Sequence, residues 1–321
     1  MKTILVSGAS GVVGYGILRS LRRSGKDLRL VGTTIYDDSV AQGFCDIFEQ
    51  APPTRDAGYL EWLCRIISAH QVDLIIPGIE ADMYRWIESV SELQRIGSVK
   101  ALLNEPRLVL LCKDKWTFFE TLSNSGLPCV IETTLESDFD SLASRFGLPF
   151  LLKPRIGFGS KGIVRVDSPA TFLEHQARIG TVLMAQPLVG TENEEFTTSA
   201  FCDGKGSFYA HMTLKRKLAS DGFTDRAEVV QVDDIAETVR ELCSLFKPIG
   251  PTNFQFRRHQ GALKLLEINP RVSSATAIRT AFGYNECAMA VEYYLEGKTP
   301  QQPVIKPGRA VRYTEDLIFY S

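Results

Sequence analysis

Over the first hundred residues, short apolar segments alternate with segments that have helical periodicity. The apolar runs T-I-L-V-S, L-R-L-V-G and V-D-L-I-I-P are separated by amphipathic stretches such as G-I-L-R-S-L-R-R. A strand that is apolar throughout is buried on both faces, as happens when helices cover both sides of a parallel sheet. The alternation therefore predicts a parallel, doubly wound α/β sheet at the N-terminal end of the chain.

From Pro106 onward the sequence predicts a mixed α+β region instead. One long helix is expected over R-L-V-L-L-C-K-D-K-W-T-F-F-E-T-L and another over residues 139–146. Several β-like runs follow, among them F-L-L-K-P, E-F-T-T-S-A-F, S-F-Y-A-H-M-T-L and A-L-K-L-L-E-I-N. Their close spacing favours antiparallel hairpins. A chain of 321 residues is longer than one typical domain, so we expect it to be multidomain.

Charge and cysteine usage argue against several kinds of partner. The formal net charge is −2, so the chain lacks the basic field that attracts nucleic acid or anionic lipid. No apolar run is long enough to span a membrane. The seven cysteines include no C-x-x-C pair, which is typical of reduced thiols in a cytoplasmic protein. We expect small-molecule partners, and the sequence leaves open whether the chain forms a homodimer.

A glycine-rich turn, G-A-S-G-V-V-G, joins the first predicted strand to the first helix. Gly8, Gly11 and Gly14 could hold a dinucleotide pyrophosphate on the helix N-terminus. However, the second strand does not end in the acidic residue that would bind the ribose. A Tyr-x-x-x-Lys pair, as oxidoreductases use, exists only as Tyr294 and Lys298. An NAD(P)-dependent oxidoreductase and a purely structural turn both stay open.

A second glycine-rich segment, L-L-K-P-R-I-G-F-G-S-K-G-I-V, lies between two predicted strands. Lys153 ends the first strand, and the turn that follows contains Gly157, Gly159, Ser160, Lys161 and Gly162. Backbone N–H groups in such a turn can bind phosphate oxygens, and the serine and lysine add further donors. It is not a Walker loop, because no G-K-[ST] opens a helix. A phosphate site and a solvated turn are the two interpretations.

The third segment of interest is a predicted hairpin formed by T-N-F-Q-F and K-L-L-E-I-N-P-R. Successive side chains of a strand point to opposite faces, so Glu267 and Asn269 share one face. If residues 259–261 form the loop, Gln255 lies on that face as well. Three oxygen donors would then converge, and such donors suit Mg²⁺ bound together with substrate phosphates. A half-buried hairpin with a polar outer face is the alternative.

Together these segments resemble the ATP-grasp superfamily, in particular the synthetase domains of the carbamoyl-phosphate synthase large subunit and the small carboxylate-amine ligases. The resemblance is strongest over residues 113–271. The preceding residues are similar to the Rossmann-like domain that comes before ATP-grasp domains. The resemblance implies three parts: a Rossmann-like domain (1–104), an ATP-grasp small lobe (105–185) and a C-terminal lobe with the magnesium site (186–321).

The resemblance also implies which residues bind the nucleotide. Lys115, which follows Asp114, would supply a cation on the α-phosphate side, and Lys153 would reach the α- and β-phosphates. The glycine turn from Gly157 to Gly162 would close over the phosphates. Gln186 and the backbone near Leu188 would face adenine, although most relatives have an acidic residue in place of this glutamine. Glu195 would hold the ribose, with Glu192 and Glu194 as alternatives.

The metal and the chemistry follow from the same resemblance. Gln255, Glu267 and Asn269 match the magnesium positions of the family, with Mn²⁺ as a substitute, and Arg271 matches its phosphate-contacting arginine. Lys153, Glu267 and Arg271 would be the catalytic residues. The implied reaction is ATP-dependent ligation of a carboxylate to an amine or ammonia through an acyl phosphate, with release of ADP and phosphate.

Alternatives to this function also follow from the sequence. A bicarbonate-phosphorylating enzyme like carbamoyl-phosphate synthase, the NAD(P)-dependent oxidoreductase and a non-catalytic nucleotide-binding subunit are the other hypotheses. The substrates themselves are not identified by the sequence. Glu80 and Asp82, in P-G-I-E-A-D after a predicted parallel strand, are candidates for binding an ammonium group. Arg279 is a candidate for binding a substrate carboxylate.

Overall fold

The computed structural model describes residues 1–94, 98–157, 161–220 and 222–319. These residues form a five-stranded, a three-stranded and a six-stranded sheet. No helix within these ranges is both long enough and apolar enough to cross a membrane.

The N-terminal sheet is parallel and doubly wound, as the sequence predicts. Its strand order is β3-β2-β1-β4-β5, and every pair is parallel. The strands are β1 (Lys2–Val6), β2 (Leu28–Thr34), β3 (Ile47–Gln50), β4 (Leu74–Ile76) and β5 (Lys100–Ala101). The helices are α1 (Val12–Arg22), α2 (Tyr59–His70), α3 (Glu80–Glu88) and α4 (Val90–Gln94), and a 3₁₀ turn covers Val40–Gly43.

Burial on both faces explains why the central strands β1 and β4 are mainly apolar. Ile4 and Val6 pack into one hydrophobic core, which continues under the large C-terminal sheet. Leu5, which points the other way, packs with Tyr59 and Leu63 of α2. Helices therefore cover one face, and the C-terminal part of the chain contributes to covering the other.

Two short helices stand where the sequence predicts one long helix, so that prediction is wrong. They are α5 (Pro106–Lys113) and α6 (Lys115–Ser123). Asp114 between them is extended, with φ −110° and ψ 109°, and its carboxylate accepts a hydrogen bond from the backbone N–H of Trp116. The same carboxylate forms an ion pair with Arg155 at 2.6 Å. The break arises because Asp114 caps α6 and is held by a residue distant in sequence.

The three-stranded sheet is antiparallel and has the order β7-β6-β8. Its strands are β6 (Phe150–Pro154), β7 (Val164–Val166) and β8 (Leu183–Pro187), flanked by α7 (Phe139–Phe146), α8 (Pro169–Leu173) and a 3₁₀ turn at Gln176–Arg178. The helix predicted over residues 139–146 is confirmed. The boundary expected between residues 185 and 186 falls inside β8, so this strand completes the small sheet.

The six-stranded sheet has the order β13-β12-β9-β10-β11-β14 and is antiparallel. Its strands are β9 (Glu195–Asp203), β10 (Phe208–Leu218), β11 (Thr224–Val230), β12 (Ile249–His259), β13 (Ala262–Asn269) and β14 (Arg309–Val311). The associated helices are α9 (Asp233–Phe246), α10 (Thr276–Ala281) and α11 (Glu286–Glu296), with a 3₁₀ turn at Glu192–Glu194.

In the β12–β13 hairpin, the polar side chains share one face as predicted, but the loop and the strand register differ from the prediction. His259 pairs with Ala262, so the loop is the two-residue turn of Gln260 and Gly261 rather than residues 259–261. That turn alone would put Gln255 on the face opposite to Glu267. A register shift between Gln255 and Phe256 corrects the pairing, and Gln255 lies directly across from Glu267. The prediction of the loop is wrong, whereas the shared face is confirmed.

Candidate functional site

A cleft with a volume of about 450 Å³ opens where the N-terminal domain, the α5–α6 region and the six-stranded sheet meet. A second cavity of about 120 Å³ lies next to the small sheet. Lys115, Gln255, Leu266 and Glu267 line both cavities, so the two form one continuous site. Ten of the residues that the sequence predicts to bind nucleotide, metal or substrate line this site: Glu80, Lys115, Lys153, Gly157, Gln186, Glu195, Gln255, Glu267, Asn269 and Arg271.

The polar face of the β12–β13 hairpin forms one wall of the cleft. Gln255 is paired with Glu267 across the strands, and Asn253 with Asn269. The Asn269 side-chain amide donates to Glu267 Oε1 at 2.9 Å. Among the described residues no group of three or more His, Cys, Asp or Glu side chains could hold a metal. The oxygen donors here are therefore one carboxylate and neighbouring amides.

Lys153 enters the same site from the small sheet. It lines the smaller cavity together with Glu267 and Glu195. Burial lowers the pKa of Lys153 to about 8, with Glu267 opposing that effect and Lys115 adding to it. Its ammonium group makes no hydrogen bond or ion pair with another described residue, although its neighbour Arg155 makes several. Lys153 is therefore a half-buried cation without an ion-pair partner among the described residues, which suits it to bind an anion.

Lys115 connects α6 to the glycine turn between β6 and β7. Its ammonium donates to the carbonyl oxygen of Gly157 at 2.8 Å. Gly157 lines the larger cleft, and Lys161 and Gly162 are exposed beyond it. Gly159 and Ser160, which the sequence also predicts to bind phosphate, lie outside the described residues. The first residue of the predicted phosphate-binding turn, Gly157, therefore lies at the cleft.

The predicted adenine and ribose residues lie around the smaller cavity. Gln186 lines it but is only 2% exposed, and its amide donates to Thr133 Oγ1 at 2.6 Å. Leu188 follows β8 and is partly exposed. Glu195 lines the cavity, whereas Glu192 and Glu194 are exposed in the adjoining 3₁₀ turn. Of the three glutamates, only Glu195 lines the site.

The carboxylate of Glu195 is shared by two arginines. Glu195 is 3% exposed, and it accepts hydrogen bonds from Arg216 at 3.0 Å and from Arg257 at 2.9 Å. Arg216 also donates to Gln255 Oε1 at 2.5 Å. These ion pairs compensate the buried charges, since an isolated buried carboxylate is very unfavourable.

Sequence reasoning missed Arg216, although β10 contains a signal for it. Met212 and Leu214 are buried, and residues two apart in a strand share a face. Arg216 continues this buried face as a charged residue, which requires a partner or a ligand. It lines the larger cleft beside Asn253 and Gln255.

Arg271 and Glu80 join the hairpin to the N-terminal domain. Arg271 donates to Glu80 Oε1 from Nη2 at 2.5 Å and from Nε at 3.1 Å, and both residues line the cleft. Glu80 is the first residue of α3, which follows the carboxyl end of β4. This position agrees with the expectation that ligands lie outside the carboxyl ends of parallel strands.

Two of the predicted substrate residues do not face the cleft. Asp82 is 3% exposed and accepts a hydrogen bond from Thr54 at 2.5 Å, because it lies on the inner side of α3. Arg279 is fully buried, and it donates to Thr197 Oγ1 and to Asn253 Oδ1, both at 3.0 Å. Neither side chain can meet a substrate there, so both assignments are corrected to structural roles.

The N-terminal glycine turn is explained by packing. A Cβ atom on Gly14 would lie 2.3 Å from the carbonyl oxygen of Gly8, and one on Gly78 would lie 2.1 Å from that of Ser7. Glycine is therefore required where the β1–α1 and β4–α3 turns touch.

The Tyr-x-x-x-Lys pair does not come together in the structure. Tyr294 has a buried hydroxyl group, whereas Lys298 is paired with Glu296 on the surface. An oxidoreductase site gains no support from this arrangement.

The geometry agrees with what comparisons with known proteins find. The family model described as "ATP-grasp in the biosynthetic pathway with Ter operon" matches residues 182–317. This match contains β8 to β14 and hence the polar hairpin face. The matched residues are thus similar to an ATP-grasp family, and the chain has the ATP-grasp fold.

Curated relatives of this ATP-grasp protein include large chains of carbamoyl phosphate synthase. That of Thermomicrobium roseum is 27% identical over 177 residues, which cover 51% of this chain and 16% of the relative. That of Thermotoga neapolitana is 23% identical over 349 residues, which cover 93% of this chain and 31% of the relative. The chain thus spans less than a third of the length of these two relatives.

Solved structures show the same fold over nearly the whole chain. N5-carboxyaminoimidazole synthetase from Staphylococcus aureus superimposes with a TM-score of 0.73 at 18% identity, covering 95% of this chain and 80% of that one. The biotin carboxylase domain of Hydrogenobacter thermophilus 2-oxoglutarate carboxylase, in complex with MgADP and bicarbonate, gives 0.70 at 15% identity, covering 96% and 73%. The ATP-grasp fold predicted from the sequence is confirmed.

Proposed function

We propose that this ATP-grasp protein is an ATP- and Mg²⁺-dependent ligase that joins a carboxylate to an amine or to ammonia. The carboxylate takes the γ-phosphoryl group of ATP and becomes an acyl phosphate. The amine then displaces phosphate, so that the products are an amide, ADP and phosphate. The observation that carries the proposal is the convergence of three residues on one site: Lys153 comes from the small sheet, and Glu267 and Arg271 come from β13 and the segment directly after it.

The residues present fit a magnesium ion that is shared with the nucleotide. Glu267 supplies a carboxylate, and the side-chain amides of Gln255 and Asn269 supply oxygen atoms on the same face. Hard oxygen donors of this kind suit Mg²⁺, and a single carboxylate fits an ion that keeps phosphate oxygens and waters as its other ligands. When bound, the ion would neutralise charge on the phosphate oxygens.

The cations of the site address the main obstacle to the reaction. A carboxylate that approaches the γ-phosphate is an anion meeting an anion. Lys153 is half-buried and has no ion-pair partner among the described residues, so its ammonium is available to phosphate oxygens. Lys115 adds a second charge at the glycine turn, and Arg271 a third on the opposite side. No protein nucleophile is needed, because the carboxylate of the substrate attacks.

The co-substrate end of the site would lie near Glu80. In the absence of a ligand, Glu80 neutralises Arg271. Once Arg271 contacts a phosphate or carboxylate, the Glu80 carboxylate becomes free to bind an ammonium group. Glu80 is thus our candidate for binding the amine.

The proposal is tested by measuring ADP release with panels of carboxylates, with and without a second amine. When hydroxylamine replaces the amine, a hydroxamate should accumulate, because hydroxylamine reacts with the acyl phosphate. Glu267→Gln should lower the rate by roughly 10²- to 10³-fold, about 3–4 kcal/mol, since it removes one preorganised charge. Glu237→Gln on the exposed side of α9 is the matched control and should leave the rate unchanged.

Other outcomes would favour the alternative functions. ADP release with bicarbonate alone would indicate chemistry like that of carbamoyl-phosphate synthase. Binding of ATP–Mg²⁺ without phosphate release in any panel would indicate a non-catalytic nucleotide-binding subunit. Turnover with no trappable acyl phosphate, and no oxygen-isotope exchange into phosphate, would contradict the proposed mechanism.

A further inference from the structure

Arg312, in the C-terminal segment, contacts the wall of the larger cleft. Strand β14 pairs with β11 at the edge of the six-stranded sheet. Arg312 directly follows this strand, and its backbone N–H donates to the carbonyl oxygen of Asp225 at 2.8 Å. The chain is therefore fixed in position where the Arg312 side chain leaves it.

The guanidinium of Arg312 connects two separate segments. Its Nε donates to the carbonyl oxygen of Thr224 at 2.6 Å, at the start of β11. Its Nη2 donates to the carbonyl oxygen of Ser274, in the segment that follows β13. The same group lies over the ring of Phe223, 5.7 Å from the ring centroid. One planar cation thus holds the backbone of both segments and the face of an aromatic ring.

Both segments that Arg312 holds are walls of the larger cleft. Phe223 lines it from the β10–β11 side, and Ser274 lines it from the side of Arg271, three residues earlier in the chain. Arg279 also holds the segment that contains Arg271 and Ser274, because its guanidinium donates a hydrogen bond to the Ser273 hydroxyl. Arg312 is the contact that joins this segment to β11.

Phe223 is one of several apolar side chains that line the larger cleft. Val12, Val13 and Met83 also line the larger cleft, whereas none of them lines the cavity next to Lys153. An apolar wall of this kind suits the apolar body of a small molecule rather than a phosphate chain. Since the cavity next to Lys153 is the one proposed for the nucleotide, this wall of the larger cleft is assigned to the co-substrate.

We propose that Arg312 is a positioning residue: it fixes Phe223 as an aromatic wall that selects a co-substrate with an apolar body. The position of this wall depends on the C-terminal segment, which lies far from the nucleotide-binding residues in the sequence. The selection of a co-substrate rests on the proposed ligase function. The fixing of Phe223 by Arg312 does not.

The first arm of the test needs no catalytic activity. Phe223→Trp places a fluorescent reporter under Arg312, and the signal of the parent protein is subtracted. Adding Arg312→Lys keeps the charge but removes the planar group, so acrylamide quenching of the new tryptophan should increase by about twofold. Arg309→Lys, an exposed arginine of the same strand, is the matched control and should leave the quenching unchanged. Equal quenching in the two variants would overturn the proposal.

The second arm measures selectivity in the otherwise unchanged protein. Arg312→Lys should raise KM for an apolar co-substrate by about fivefold, because the planar group that stacks on Phe223 and hydrogen-bonds both segments is lost. It should change KM for ATP by less than about twofold. Phe223→Leu, which leaves the contacts of Arg312 with the backbone intact, should produce the same KM pattern even if Arg312→Lys does not fold. An equal rise in both KM values, or none, would contradict the assignment of Phe223.

The two proposals can fail separately. If no carboxylate supports ADP release but Arg312→Lys still exposes the reporter, the ligase function fails and the positioning role of Arg312 stands. If ligation occurs and the reporter does not respond, the positioning role fails and the function stands.

Discussion

The pKa of Lys153 depends strongly on the surroundings of its side chain. Burial disfavours its charged form, which lowers its pKa from the ordinary value of 10.5 to about 8. Between these two pH values the unfolded chain binds more protons at this position than the folded chain does. The contribution of Lys153 to the free energy of unfolding is therefore unfavourable below about pH 8 and diminishes as the pH rises towards 10.5.

The same titration predicts a pH-dependent affinity for ATP–Mg²⁺. Phosphate oxygens bind the protonated form of Lys153, so the affinity should fall as the pH rises above 8, by about tenfold at one unit above the pKa. Lys153→Arg keeps its charge over this range and should show little change between pH 7 and pH 9. Lys153→Met should bind weakly at every pH, and its unfolding midpoint without nucleotide should rise at pH 7, because the unfavourable charge is removed. Isothermal titration calorimetry measures these affinities, and an equal pH dependence in Lys153→Arg would contradict the role.

At the scale of elements, the β12–β13 hairpin decides which side chains face the cleft. Gln260 and Gly261 both have positive φ, 49° and 81°, as a type I′ turn requires. With this two-residue turn and a regular ladder, the side chains of Glu267 and Gln255 would point to opposite faces of the hairpin. The register shift next to Gln255 brings the two residues face to face. The site therefore depends on an irregularity in the ladder.

The turn of this hairpin should affect stability but not nucleotide binding. Gly261→Ala places a Cβ atom in the left-handed region, so the free energy of unfolding should fall by about 1–2 kcal/mol. Nothing lies within 4 Å of a Cβ atom built on Gly261, so the cost is conformational rather than steric. Gly58→Ala, at a glycine with φ −80°, is the control and should cost much less. Urea unfolding measures both, and a changed affinity for ATP–Mg²⁺ in Gly261→Ala would show that the turn influences the site.

At the scale of the whole molecule, the site exists only where the three parts of the fold meet. The small sheet contributes Lys153, the hairpin contributes Glu267, and the N-terminal domain contributes Glu80, which is paired with Arg271. Asn104 also joins the parts, since its side chain donates to Thr252 Oγ1 at 2.8 Å. A ligand that contacts all three parts would bind the folded chain and not the unfolded one, and it would stabilise the assembled arrangement.

We therefore expect thermal stabilisation by ATP and Mg²⁺ together, and little by either alone. A ligand at one hundred times its Kd adds about 2.7 kcal/mol to the free energy of unfolding. Mg²⁺ alone should have little effect, because the described hairpin face offers one carboxylate. NAD is the control nucleotide and should not shift the unfolding midpoint. Full stabilisation by ATP in the presence of a chelator, or stabilisation by NAD, would contradict the proposed site.

The parts of this protein that depend on local periodicity could be predicted from the amino-acid sequence. Apolar runs separated by helices identified the parallel sheet, since burial on both faces favours apolar residues along a strand. Alternation along β13 placed Glu267 and Asn269 on one face, because successive side chains of a strand point in opposite directions. The motifs around Lys153 and Arg271 were sufficient to indicate the ATP-grasp fold.

Features that depend on partners distant in sequence could be established only from the folded chain. Asp114 breaks a predicted helix because Arg155 holds it, and Arg279 is buried because Thr197 and Asn253 receive its hydrogen bonds. Arg216 enters the site because Glu195 compensates its charge on a neighbouring strand. Local propensity contains no information about such pairings, since the free energy of a buried charge is set by the groups that the fold brings beside it.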